Sequence, residues 1–220
     1  MEKMIQQVRQ KTVECVPNFS EGRDQKKIDQ ILQEIRNTKG AKLLDVAPDK
    51  DHNRTVVTFV GEPAYVKKAA FNAIAKAAEV IDMSCHKGEH PRMGACDVCP
   101  FIPIQNVGME ECVVLAKELG RKVGEKLKIP VYLYEEAARV PERKNLAVIR
   151  SGEYEGLEEK LKDPQWEPDY GPAIFNRKSG ATVIGARMFL IAYNVNLETT
   201  DKKIADEISR SIRGSGREKG

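Results

Sequence analysis

Two amphipathic helical stripes, each set between β-rich runs, constrain what this chain can fold into more than any other pattern. Thr12 to Val16 (TVECV) alternates and is β-rich, so it reads as a strand. Pro17 ends that strand, and NFSEGRD reads as a polar turn. Asp24 is placed to cap a helix running to about Thr38, closed by Gly40. Its apolar residues Ile28, Ile31, Leu32 and Ile35 recur at helical spacing. Lys42 to Ala47 is a second strand, PDKDHN a polar turn, and Arg54 to Val60 a third strand of high β-propensity. Pro63 then stands at a first helical position, and Val66, Ala70, Ala73, Ile74 and Ala77 form a stripe on a helix reaching Ile81. Val98 to Ile104 reads as a fourth strand, on an edge or irregular, because Pro100 and Pro103 have no N–H to give a ladder. A long helix over Met109 to Lys128 and a fifth strand over Val131 to Tyr134 follow.

This order predicts an α/β (α+β) sandwich: a mixed β-sheet with helices packed on it, built from ferredoxin-like split β-α-β units rather than doubly wound. From about Arg139 to Gly180 the chain is richer in proline, glycine and charge, with a short helix near Leu157 to Leu161. A segment this long and irregular reads as a functional loop rather than a connector. Ala181 to Leu197 reads as a buried strand broken near Gly185, and Thr200 to about Ile212 as a helix. A length of 220 residues allows one ample core, or one domain and part of another.

Composition excludes more than it assigns. The 36 basic and 33 acidic residues leave a net charge of +3, which does not argue for nucleic acid and is compatible with an anionic small molecule. MEKMIQQVRQ has no apolar core of signal-peptide length. No run approaches the roughly 18 apolar residues of a membrane span. Five cysteines, an odd number, suggest reduced thiols and a cytoplasmic setting. Neither G-x-G-x-x-G, nor a Walker-type loop, nor a nucleophile elbow occurs.

Chemistry concentrates between Ile81 and Pro103, IDMSCHKGEHPRMGACDVCPFIP, which holds His86 and His90, two of the three histidines. Histidine gives and takes protons near neutrality, so His90 is a candidate general acid/base, tuned by Glu89 or another carboxylate and by Arg92. The bland alternative is a loop histidine bonded to a backbone carbonyl, and the same choice holds for His86 and for His52 in its polar turn. His86 and His90 with Cys96 and Cys99 have the residue types of a zinc site. Cysteines three apart on a strand point to opposite faces, however, and no glycine turn joins them, so no metal is expected. Asn18, Ser20, Glu21 and Gly22 either cradle an anion or form a turn. Arg54, Lys87, Arg92, Arg177, Lys178 and Arg187 are candidates for carboxylate recognition.

Longer stretches carry a resemblance. VECVPNFSEG (Val13 to Gly22), NRTVVTFVG (Asn53 to Gly61), the histidine block, PVYLYEEAAR (Pro130 to Arg139), SGEYEGLEEKL, WEPDYGPAIF and GATVIGARMFLIAYNVNL together resemble the glutamate formimidoyltransferase family. That family exists alone or fused to a formimidoyltetrahydrofolate cyclodeaminase. The resemblance runs in order from Val13 to Leu197. It implies transfer of the formimino group of N-formimino-L-glutamate to N5 of tetrahydrofolate, a one-carbon step of histidine degradation, with tetrahydrofolate as co-substrate and no metal. The family's catalytic histidine falls on His90, in EHPRMG. Its folate-binding segment falls on Gly171 to Gly180, where Gly171, Pro172, Ala173, Phe175 and Gly180 fit the pattern. Ile174 and Ser179 lie among them, while Asn176, Arg177 and Lys178 diverge. Arg92, Asp45, Asp97 and His86 are candidate supporting residues, Asp45 or Asp97 as the carboxylate that orients His90.

The resemblance also implies a division of the chain. The family builds its transferase from two subdomains with folate between their sheets. Residues 1–180 correspond to the first and 181–220 to the opening strand and helix of the second. A second polypeptide or a homodimer is then expected to complete the site, with a cyclodeaminase as a further candidate partner. The chain alone is expected to bind tetrahydrofolate weakly and to self-associate through an apolar edge near Ala181 to Leu197. The rival readings are formyl transfer from N-formylglutamate, and a non-catalytic folate- or partner-binding module. Neither nucleic acid nor membrane is an expected partner.

Overall fold

The computed structural model describes residues 10–191, 195 and 197–212. They fall into two compact units, divided between residues 188 and 189. The first unit holds a mixed seven-stranded sheet. Strands β1 (Thr12–Cys15) and β2 (Asn18–Phe19) share one row, interrupted at Val16 and Pro17. On one side of that row lie β4 (Arg54–Gly61) and then β3 (Ala41–Asp49), both joined antiparallel. On the other side lies β5 (Cys96–Gln105), also antiparallel, followed by β7 (Thr182–Ala186) and β6 (Val131–Glu135), which run parallel to it.

Split units account for this order. Between β1/β2 and its parallel mate β3 comes α1 (Gln25–Arg36) in the chain and β4 in the sheet. Helix α2 (Pro63–Val80) joins β4 to β5 across β1/β2, and α3 (Met109–Leu127) joins β5 to β6 across the place that β7 fills. The first four rows therefore have the ferredoxin-like arrangement that the sequence predicts.

Local chemistry explains the helices. The Asp24 carboxylate accepts from the backbone N–H of Lys26 at 3.0 Å and of Lys27 at 3.3 Å, so it caps α1 as expected. Pro63 occupies the first turn of α2, where an N–H would be unpaired anyway. Helix α1 packs on α2 and α2 on α3. Ile28, Ile31, Leu32, Ile35, Val66, Ala70 and Leu119 are buried in one core with Val13, Phe59, Phe101, Leu133 and Ile184 from the strands.

Residues 137–180 do not lie idle. Tyr132 and Tyr134 alternate with Val131 and Leu133, and they face a second core containing Val98, Val183, Ile149, Leu157 and Leu161. The irregular stretch, with its short helices α4 (Leu146–Arg150) and α5 (Leu157–Lys160), thus supplies the second face of β5, β7 and β6. Strands covered on both faces read as continuous apolar runs, and β7 does.

Three sequence expectations change. β5 is interior rather than an edge, and it is irregular, with register shifts where it pairs with β1 and β2. Its prolines stand where the neighbouring ladder is already broken: the Pro100 carbonyl accepts from Val16 N–H in the β1/β2 gap, and Pro103 faces Val13 beside a register shift. Pro17 interrupts the first strand without ending the row, because the chain re-enters as β2. The apolar run after residue 180 divides. Thr182–Ala186 is wholly buried between β5 and β6, in the compact unit that runs through 188. Met188, Phe189, Leu190 and Ile191 are exposed and outside any strand, whereas 192–194 and 196, also in the expected strand, lie outside the described residues. In the second unit, α6 (Lys202–Ile212) carries exposed Ile204, Ile208 and Ile212. No described helix is long and apolar enough to cross a membrane.

Gly180 shows how tightly the last predicted site segment is seated. Its φ is +65°, and a Cβ there would stand 2.1 Å from the Met93 carbonyl oxygen. Gly180→Ala is expected to destabilise the fold by more than the roughly 1 kcal/mol of a simple glycine effect, because the backbone at Met93–Gly94 must move. Urea unfolding of the variant against the parent checks this.

Candidate active site

The end of the sheet where β2 and β3 finish and where β4, β5, β6 and β7 begin gathers the predicted chemistry. The loop from Ile81 to Ala95 crosses it. Asp82 caps a short 3-10 turn at Met83–Cys85, and Met83 N–H bonds the Lys178 carbonyl at 2.8 Å. Further on, the Lys87 carbonyl accepts from Asn53 Nδ2 at 2.9 Å and Glu89 N–H donates to the Asp51 carbonyl at 3.3 Å. The loop is thereby fastened to the β3–β4 turn.

The histidines differ in standing. His86 Nε2 lies 3.0 Å from the Asn53 carbonyl oxygen, and its Nδ1 accepts from Arg92 Nε at 3.2 Å. A carbonyl only accepts, so Nε2 holds the proton and both ring nitrogens are committed. Burial holds the His86 pKa below its ordinary value. Through these two bonds it ties the loop to Asn53 and to Arg92. His52 is exposed and rests its Nδ1 2.6 Å from Asp49 Oδ2.

His90 is half-buried, and its Nε2 lies 2.6 Å from Arg54 Nη1. A guanidinium only donates, which leaves the imidazole neutral with its proton on Nδ1. The ring centroid of His52 is 6.2 Å away. Burial first, then the charges of Arg54 and Arg150, and then His52, push the His90 pKa down to about 4, against a weak opposing bond at Pro91. His90 is therefore a free base at neutral pH. Cations rather than carboxylates tune it: among the described residues no carboxylate bonds His90, and Glu89 is exposed.

A group with a depressed folded pKa takes up fewer protons folded than unfolded between about 4 and 6.5. Its contribution to stability is present above about 6.5 and is lost as pH falls through about 4. Urea midpoints measured from pH 7 down to 4 are expected to fall, with a shallower fall in His90→Gln.

The other candidates are placed as follows. Arg92 is buried and engages Glu153 at 2.9 Å, Glu155 at 2.6 Å and the His86 ring, so it clamps the 153–155 turn to the loop rather than assisting His90. Asp97 is fully buried. It pairs with Arg150 and accepts from Met93 N–H at 2.9 Å, fixing the end of the loop. Burial raises its carboxyl above the ordinary value despite Arg150. Asp45 is exposed on β3 opposite Thr58. Neither carboxylate orients His90.

The Gly171–Gly180 segment lies directly beside this loop. Ala95 N–H bonds the Ser179 carbonyl at 2.9 Å and Ala181 N–H the Met93 carbonyl at 3.0 Å, so its end runs alongside Met93–Ala95. Asn176 Oδ1 accepts from Ser179 N–H at 3.0 Å, and the Asn176 carbonyl accepts from Gly180 N–H at 2.7 Å. Phe175 packs on Tyr154 with ring centroids 5.3 Å apart. Lys178 Nζ bonds the Glu79 carbonyl at 2.6 Å. Gly171, with φ +82°, sits against Gly124 of α3. Pro172 is half-buried, while Ala173, Ile174 and Arg177 face solvent, Ile174 at 70% exposure.

Two rival features resolve differently. The backbone N–H groups after β2 are taken by the chain's own Glu21, whose Oε1 accepts from Arg23 and Asp24, so that segment is a turn and not an empty anion cradle. The zinc-type residues do not converge. Cys99 Sγ lies 3.5 Å from Cys15 Sγ, the Cys96 thiol is directed at the Val98 carbonyl, and the described residues contain no group of three metal-ligating side chains. An open cleft of about 550 Å³ beside the loop is lined by Lys87, Gly88, Arg92, Gly152, Glu153 and Glu155. Sequence reasoning places Arg54 among carboxylate binders but misses its contact with His90. The signal was the alternation of β4: Thr55, Val57 and Phe59 are buried, which puts Arg54 on the opposite face. Arg150 carries no such signal.

Residues 12–187 match the family described as the formiminotransferase domain, N-terminal subdomain, and the chain belongs to that family. It is 58% identical over 207 residues to a formimidoyltransferase-cyclodeaminase of Dictyostelium discoideum, an alignment covering 94% of this chain and 38% of that protein. Against a glutamate formimidoyltransferase of Thermoplasma acidophilum it is 53% identical over 203 residues, covering 91% and 67%. A glutamate formimidoyltransferase of Streptococcus pyogenes is 48% identical over 206 residues, covering 94% and 69%. The chain thus spans little more than a third of the bifunctional relative and about two thirds of the stand-alone ones.

Proposed function

We propose that this chain carries the histidine-bearing part of a glutamate formimidoyltransferase, which moves the formimino group of N-formimino-L-glutamate to N5 of tetrahydrofolate. The observation that carries the proposal is a neutral His90 in a loop bonded side by side to Gly171–Gly180. The N5 nitrogen attacks the amidine carbon, forming one C–N bond while its proton passes to the His90 imidazole. The glutamate nitrogen takes that proton as its bond to the same carbon breaks. One imidazole serves both transfers, and none of this requires a covalent enzyme intermediate. The exposed residues Ala173, Ile174 and Arg177 supply one wall for the folate, with Phe175 behind them. A cyclodeaminase is the partner that would use the product.

Steady-state assays with N-formiminoglutamate and N-formylglutamate as alternative donors test the reading. Formation of 5-formimidoyltetrahydrofolate from the first, at a kcat/KM at least about tenfold above the second, is expected. Turnover restricted to the formyl donor, or folate binding without turnover in a completed transferase, would replace it with the rival readings. Prolonged dialysis against EDTA is expected to leave the rate unchanged.

A further inference from the structure

We propose that Arg54 is the residue that takes a carboxylate of the glutamate-type donor, and that until it does so it caps the Nε2 lone pair of His90. The inference rests on the proposed transferase reading for its choice of ligand. It starts from the charges at the sheet end. Arg92 is paired with Glu153 and Glu155, Arg150 with Asp97, and His52 with Asp49. Arg54 has no ion pair among the described residues. Its Nη1 meets a neutral ring nitrogen, and its Nε is buried and donates to nothing, alone in this respect among the described buried side-chain polar atoms. A buried donor without a partner is an unfavourable state that a suitable acceptor relieves.

Imidazole offers the guanidinium one neutral acceptor atom. A carboxylate offers two charged oxygens in a fork that matches it, so a carboxylate displaces the ring. Two consequences follow for His90. Its Nε2 lone pair is released, and the nearest cation that disfavours a second proton is neutralised. The charges facing His90 are Arg54 from β4, Arg150 from α4 and His52 from the turn, while Asp49 and Asp97 act on Arg54. The base thus becomes available only when the donor is in place, which protects it from idle protonation. By linkage, donor and proton then assist each other's binding: glutamate affinity increases as pH falls from the bound-state pKa of His90 toward the free-state value of about 4.

The test follows the His90 ring by NMR in 15N-histidine-labelled protein, with L-glutamate as the probe. Free protein is expected to titrate near 4. Saturating glutamate is expected to raise that value by about one unit or more, a tenfold gain in proton affinity. In Arg54→Met the free value should rise without glutamate, and glutamate should add no further shift. Arg54→Lys keeps the charge without the fork and serves if the first variant does not fold; its glutamate Kd should be at least about tenfold weaker. A His90 titration unmoved by glutamate in the parent protein, or unmoved by Arg54→Met, overturns the inference. Because this readout needs no turnover, a positive shift in a protein inactive with both donors would sink the transferase reading and leave the Arg54 coupling standing. Turnover without any shift would do the reverse.

Discussion

His90→Ala should reduce formimino transfer by about 10²–10⁴-fold while leaving tetrahydrofolate affinity within a few-fold. The other candidates at the loop are engaged: His86 by Asn53 and Arg92, Arg92 by two glutamates, and Asp97 by Arg150. The His90 Nε2 instead meets the guanidinium of Arg54, which has no ion pair among the described residues. Folate contacts fall on Gly171–Gly180, whose backbone bonds to the loop run through Met93 and Ala95 rather than through the imidazole. His90→Gln keeps a side-chain acceptor but cannot shuttle a proton, so it should lose nearly as much. Single-turnover rates and folate titration on the same preparations check both halves. A variant retaining most of its turnover would remove His90 from the mechanism.

The largest expected effect on stability belongs to Asp97→Ala. Asp97 is 2% exposed and holds two partners, the Arg150 guanidinium and the Met93 N–H. Removing the carboxylate strands a mostly buried cation and a buried donor together. Breaking one side of such a pair costs about 3–5 kcal/mol. For a domain of this size that is a fall in Tm of roughly 6–20 °C. Asp97→Asn keeps an oxygen for Met93 and should lose less. Because Met93 is also bonded to Ala181, the damage should reach the His90 loop, and activity should fall even at temperatures where the variant stays folded.

The fold was legible to the extent that period and punctuation dictate it. The Asp24 cap, the Pro63 start and the spacing of Ile28 to Ile35 correctly predict their elements. The strands of β3, β4 and β6 were visible from β-rich runs between turn residues. The position of β5 was not, because proline penalties are local whereas the gap at Val16–Pro17 that accommodates Pro100 is a tertiary fact. The same limit hid the place of β7, which fills the space between strands some 50 and 80 residues earlier in the chain.

The site divides in the same way. The clustering of titratable groups was legible, since Ile81 to Pro103 reads as a loop dense in them between two regular elements. Its wiring was not. Arg92 follows His90 by two residues yet serves His86, while Arg54, separated by 36 residues, meets His90. Asp45 and Asp97 have the right charge to orient an imidazole, but one is exposed on β3 and the other is consumed by Arg150. Sequence proximity carries little information about partners across a sheet end where six strand termini converge.

The central claim is tested most directly by N-formimino-L-glutamate labelled with 13C at the formimino carbon. The label is followed by 13C NMR in the presence of tetrahydrofolate, the chain, and the second-subdomain part of a stand-alone relative supplied in trans. The account predicts that the label leaves glutamate and appears on N5 of the folate with the parent chain, and stays on glutamate with His90→Ala. Label that moves equally fast with both proteins, or that never reaches N5 with the parent, would contradict it.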